Sequence, residues 1–320
     1  MERDGKMQQL TIKNSNQILC ATTAVMVAVQ FILVMIGFND TVMLLLATQI
    51  CILLISILGL WLSNVDMKEV LRMHPIRLKT VLFAFLAVLC AFPIISLLNV
   101  LSMFFVKNAV IDVAGDVYQY GLGISLFVMA LMPAVGEEVL VRGVIYHSYR
   151  EKSPILAWLL SAVIFGMMHM NFNQMPYAIF LGLLMVVMVE ASDSIVTSMC
   201  MHFFVNGIST LSGYFSQTEL GEMAEAELAV ESMLGTGEMM KITLISMGIL
   251  ALIMVPLIIC VIVATFRING RSFSQAFEKT ENVYHMNALP EVREKDKIID
   301  IWLILAVLIM VILTILNTVG

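Results

Sequence analysis

The sequence predicts an all-α fold, a polytopic bundle of about eight or nine transmembrane helices. Three observations carry that prediction. The 320 residues are 60% hydrophobic and only 13% charged, about half the charged share of a soluble domain. Their mean hydropathy is +0.94. Apolar runs of about 20 residues, the length that crosses a lipid bilayer, recur along almost the whole chain. The charge balance also excludes nucleic acid as a partner. Eighteen basic against 24 acidic residues leave a net charge of −6, whereas phosphate binding draws on a strongly basic field.

The first run, residues 18–38, is too long and too far from a small-residue cleavage pattern for a signal peptide, so it is expected to remain as a span. Further runs cover 41–62, 80–104, 121–146, 155–170, 177–190, 194–211, 242–266 and 299–316. That makes nine, with the short 177–190 segment the weakest. They divide the chain into N-terminal helices (1–120), a central group (121–212), an acidic extracytoplasmic loop (213–241) and C-terminal helices (242–320) with a cytoplasmic loop at 267–298. The acidic loop holds six glutamates and no basic residue from 213 to 240. Both loops are expected to be solvated connectors.

Orientation follows from the basic residues, because positive loops are retained in the cytoplasm. One alternate set of loops holds Arg3, Lys6 and Lys13; Lys68, Arg72, Arg77 and Lys79; Arg150 and Lys152; and Arg267, Arg271, Lys279, Arg293, Lys295 and Lys297. The other holds Lys107 and Lys241. A multi-pass protein of the cell (plasma) membrane with a cytoplasmic N-terminus is therefore expected. Trp61, Trp158 and Trp302 fall near the cytoplasmic span ends, where interfacial aromatics anchor. The five cysteines lie inside apolar runs without a C-x-x-C pair and read as small buried hydrophobes. The 26 methionines read as packing filler rather than a soft-metal path.

A charged side chain at bilayer depth costs about 2.5 to 3.5 kcal/mol, so each one inside a span needs a reason. The fourth span carries Pro133, Gly136, Glu137, Glu138 and Arg142; the fifth ends Phe165, Gly166, Met167, Met168, His169; the seventh holds His202 and Asn206. Glu138 and Arg142 are four apart, share a helix face and can neutralise one another. Glu137 points about 100° away without a local cation, on a helix loosened by Pro133 and Gly136. His202 and Asn206 also share a face. Singly, each has a bland reading: a helix cap, interhelical hydrogen-bond glue or a buried ion lock. Jointly, Glu137, His169, His202 and Asn206 offer a base, two imidazoles and an amide donor, the parts of a hydrolytic site.

In these residues the chain resembles the CPBP family (CAAX-processing and bacteriocin-processing, or Abi) of intramembrane proteases. The family's marks are E-E-x-x-x-R, F-x-x-x-H and H-x-x-x-N on successive membrane helices. They are met here by Glu137, Glu138 and Arg142, by Phe165 and His169, and by His202 and Asn206. The resemblance covers about a quarter of the chain, with Pro133 and Gly143 in register and Val141 standing where an aromatic residue is common. It implies a CPBP/Abi core in the middle of the bundle, where Glu137 and His169 activate a water while His202 and Asn206 stabilise the oxyanion. Glu138, Arg142 and Phe165 would support the site.

Cofactor use stays open between none and a single Zn2+, for which Glu137, His169 and His202 are the ligand types; the H-E-x-x-H helix common to zinc peptidases is missing. The implied activity is CAAX-type endopeptidase cleavage of a membrane-anchored or lipid-modified protein or peptide, entered laterally or from the cytoplasm. Bacteriocin maturation or self-immunity, and a non-catalytic transporter or scaffold, are the alternatives. Counting along the spans leaves His169 nearer the outer side than Glu137, so convergence of the site rests on the structure.

Overall fold

A computed structural model describes residues 8–106, 108, 110–234, 236–278 and 297–319. Among these the regular elements are all helical. Helix α1 (Ile12–Met35) starts where Thr11 accepts the Asn14 amide, six residues ahead of the apolar run, because its first turns pack inside the bundle with Ser15 and Asn16 buried. Asp40 caps α2 (Thr41–Leu62) by accepting the Met43 amide, and Asp66 caps the short α3 (Met67–Leu71). Next come α4 (Leu78–Met103), the amphipathic α5 (Val110–Tyr118) and the 29-residue α6 (Leu122–Arg150). They are followed by α7 (Pro154–Met168), α8 (Met175–Ser192), α9 (Ile195–Leu234), α10 (Thr236–Ile268), α11 (Phe273–Phe277) and α12 (Ile301–Val319).

Eight of these helices are long and apolar enough to cross a membrane. The segment that falls short is α7, with 15 residues, and not 177–190, which lies within the 18-residue α8. At 1.5 Å per residue α7 reaches about 22 Å against a hydrocarbon core of about 30 Å. It stops because His169 and Met170 close it with short-range bonds to Gly166 and Met167, and Met170 turns into the left-handed region at φ 47°. Asn171 then accepts the Asn173 and Gln174 amides and starts the next helix. Small residues let α7 and α8 cross closely: a Cβ on Gly182 would sit 2.9 Å from the Ala162 Cα.

The acidic stretch expected as a loop is helical through Leu234, a continuation of α9. Its Glu, Ala, Met and Leu residues are strong helix formers, and charge alone does not break a helix. Most of the loop expected at 267–298 lies outside the described residues.

Burial sorts the helices. The most apolar 18-residue windows of α6 and α8 are 56% and 61% buried, against 22% for α2 and α10 and 17% for α12. The inner pair is therefore where polar side chains are screened from lipid, and the outer helices turn leucine, isoleucine and valine outward. α6 is enclosed by α2, α9, α1 and α7, while α4 packs along α10 and α12 along α1.

Two sets of contacts tie the helix ends together. At one end Thr41 donates to Asp116 (2.8 Å), Asn173 to the Ser102 hydroxyl (2.7 Å) and Asn317 to the Met170 carbonyl (2.9 Å). At the other, fully buried Glu190 at the end of α8 accepts from Arg72 (2.7 Å), from Arg150 (2.9 Å) and from the Tyr146 hydroxyl (3.1 Å). Arg72 also pairs with Asp193, which Arg271 approaches at 3.3 Å. Burial alone would lower the Arg72 pKa, but Glu190 and Asp193 outweigh it and raise the guanidinium above its ordinary value, so the clasp stays charged.

Candidate active site

The geometry of the site starts with a proline. Pro133 lies inside α6 and has no N–H for the carbonyl four residues back, that of Met129. The preceding turn, Phe127–Leu131, widens into a π-helix, and the released Met129 carbonyl accepts a 3.0 Å hydrogen bond from Asn206 Nδ2 on α9. The proline thereby places the Asn206 amide, which keeps a second N–H to give.

One turn on, the two glutamates part. Glu138 is fully buried and its Oε1 accepts from Arg142 (2.8 Å) and faces His202 Nδ1 at 3.0 Å. Its charge is matched by Arg142 and its geometry by His202. Glu137 points elsewhere. Its Oε1 accepts from Gln49 Nε2 of α2 at 2.9 Å, and its Oε2 is buried with no hydrogen-bond partner in the protein. Gly136 admits α2 this closely, since a Cβ there would stand 3.3 Å from both the Gln49 carbonyl and its side-chain oxygen.

Phe165 sets the two imidazoles. His169 meets its ring edge to face at 5.2 Å and His202 at 5.4 Å, and the Arg142 guanidinium lies 4.4 Å over it. His169 Nδ1 is 2.9 Å from the Phe165 carbonyl. A carbonyl only accepts, so Nδ1 carries the proton and Nε2 keeps its lone pair. In His202 the Glu138 contact engages Nδ1, and Nε2 remains for chemistry.

These residues share one cavity of about 1030 Å³, lined by Gln49, Glu137, Phe165, His169, His202 and Asn206 among others. Glu138 and Arg142 stand behind the wall. The short α7 accounts for the presence of His169: its length falls short of a full crossing, whereas counting the 155–170 run as a complete span put the ring too far out.

The donor set does not fit a metal centre. Among the described residues no three His, Cys, Asp or Glu side chains converge as ligands, and Glu137, His169 and His202 line the cavity without forming such a set.

Residues 120–208 match the family model described as Type II CAAX prenyl endopeptidase Rce1-like. Over that stretch the chain is similar to the CPBP/CAAX proteases. No curated protein and no solved structure matches it. The matched stretch runs from the start of α6 to just past Asn206. Gln49 lies outside it, and the sequence reading passed it over because a lone amide in an apolar helix has the same appearance whether it glues helices or serves a site. Its only signal was a polar side chain in the middle of the second span. Glu190 was likewise read as a span end rather than as the centre of a buried clasp.

Proposed function

We propose that this integral membrane protein is an intramembrane endopeptidase that hydrolyses a peptide bond in a membrane-anchored or lipid-modified protein or peptide, through a water activated by Glu137. One observation carries the reading: Glu137 lines one cavity with His169, His202 and Asn206 and keeps a carboxylate oxygen without a hydrogen-bond partner, while its neighbour Glu138 is spent on Arg142 and His202.

Glu137 Oε2 takes a proton from the water, with His169 Nε2 as a second acceptor that holds the water in line. The resulting hydroxide adds to the scissile carbonyl carbon. The oxyanion receives the second N–H of Asn206 and, from His202 as an imidazolium, Nε2–H, so that oxyanion and imidazolium balance one another while Glu138 stays matched by Arg142. The C–N bond then breaks as the Glu137 carboxyl returns its proton to the amine, leaving a carboxylic acid and an amine product. General base catalysis contributes about 10²- to 10⁴-fold, and each oxyanion donor about 10²- to 10³-fold.

The test compares the termini of membrane and secreted proteins in cells making the wild-type chain or Glu137→Gln at matched abundance. The glutamine keeps the size and the Gln49 contact but removes the base. Termini that form only with the wild type support the peptidase and name its substrate. Identical profiles favour a transporter, scaffold or immunity protein that keeps the constellation without using it.

A further inference from the structure

The cavity is one-sided. From Glu137 it extends to Phe105, Asn108, Asn171, Gln174, Asn317 and Thr318. These residues belong to the α4–α5 connector, the α7–α8 connector and the last turn of α12. All lie at the end of the bundle where α1, α4, α7 and α12 finish and α2, α6 and α8 begin, the end tied by the Thr41, Asn173 and Asn317 hydrogen bonds. Among the described residues the rim is open: Phe105 is 80% exposed and Leu316 60%. At the opposite end the Glu190 clasp closes the bundle, and none of its residues lines the cavity.

The two ends differ as sharply in charge. Among the described residues ten of the lysines and arginines flanking the spans lie at the closed end, from Lys13 to Lys297, against Lys241 alone at the open end. Basic connectors of this length are held in the cytoplasm during insertion. The closed end then faces the cytoplasm, and the mouth faces out.

The lining narrows what can enter. Its outer part offers uncharged amides, Asn108, Asn171, Gln174 and Asn317, and its inner wall is apolar, with Leu45, Met168, Leu181 and Met185. Among the described lining residues there is no Lys, Arg or Asp, and the only ionisable groups besides Tyr177 are Glu137, His169 and His202. Among the described lining residues a segment carrying a charge beside the scissile bond would find no counter-ion apart from the groups committed to the chemistry, whereas an apolar or acylated segment would find matching walls.

We infer that the site is served from the extracytoplasmic face, and that its substrate is an exported or outer-leaflet-anchored polypeptide, uncharged and partly apolar around the cleaved bond, rather than a cytosolic chain end. The word substrate rests on the peptidase reading; the sidedness does not.

Two measurements separate them. Gln174→Cys and Thr318→Cys at the mouth, and Lys79→Cys at the closed end, are treated with a membrane-impermeant maleimide, with the wild-type chain reporting the background of its native cysteines. In intact cells the two mouth variants are labelled above background and Lys79→Cys is not; in inverted vesicles the pattern reverses. Mouth cysteines that react only in inverted vesicles overturn the inference whatever the chain's activity. In the comparison of termini, Glu137-dependent cleavages are expected in extracytoplasmic segments. Glu137-dependent cleavages confined to cytoplasmic segments refute the proposed substrate while the peptidase reading survives. Absence of any Glu137-dependent cleavage refutes the peptidase and leaves the labelling to decide the sidedness.

Discussion

Replacing Gln49 with leucine removes one hydrogen bond at the centre of the site and little else. The Gln49 Nε2 to Glu137 Oε1 contact is 2.9 Å long and buried, and the other amide atom, Oε1, is buried without a partner. Leucine has a similar volume and carries no polar atom. A buried hydrogen bond to a charged acceptor contributes about 1.5 to 3 kcal/mol. If that bond holds Glu137 where its Oε2 meets the water, its loss lowers kcat/KM about 10- to 150-fold.

The loss should fall on kcat, because Gln49 orients the base rather than gripping the distant parts of a substrate. Fold stability should change little, since leucine removes one orphaned oxygen from the interior and leaves another on Glu137. The assay is cleavage of the peptide named by the comparison of termini, in proteoliposomes, with thermal unfolding measured on the same preparations. Wild-type kcat/KM in a Gln49→Leu chain would refute the positioning role. An equal collapse of stability and activity would reduce Gln49 to a structural tie.

Arg142→Met leaves Glu138 fully buried without its cationic partner, and breaking such a pair costs about 3 to 5 kcal/mol. The variant should reach the membrane at much reduced abundance on an immunoblot, and the double change Glu138→Gln with Arg142→Met should recover part of it without recovering activity. Asn206→Ala removes an oxyanion donor and should lower kcat about 10²- to 10³-fold; an activity loss under threefold counts against the role. A chelator such as 1,10-phenanthroline should leave Glu137-dependent cleavage unchanged, because the described donors do not assemble a ligand set. Inhibition reversed by added Zn2+ would overturn the metal-free route.

Much of the site was legible because its strongest constraints are local. Glu138 and Arg142 lie four apart on a helix, so their spacing alone forecasts the ion pair seen at 2.8 Å. Pro133 was legible as a weak point in α6, but nothing near it in the chain announces that Asn206, 77 residues on, takes the carbonyl it frees. Gln49 is 88 residues from Glu137 and was silent for the same reason. The all-helical fold followed from composition and run length. Depth did not, because the 155–170 run was counted as a full crossing, whereas α7 is too short for one. The acidic connector was misread since charge was weighed above the helix preference of its Glu, Ala and Leu residues.

A hydrolase immersed in hydrocarbon lacks its second reactant. The brevity of α7 bears on that problem. With about 8 Å too little apolar length, the bilayer beside α7 must dimple inward or let polar groups follow the helix end down, the ordinary response to hydrophobic mismatch. The amides of Asn171 and Gln174 ride on that recessed end and line the cavity. They carry the wetted surface of the membrane toward His169. The missing turns of one helix thus set the polar rim of the chamber inside the membrane thickness, where water can follow it toward His169.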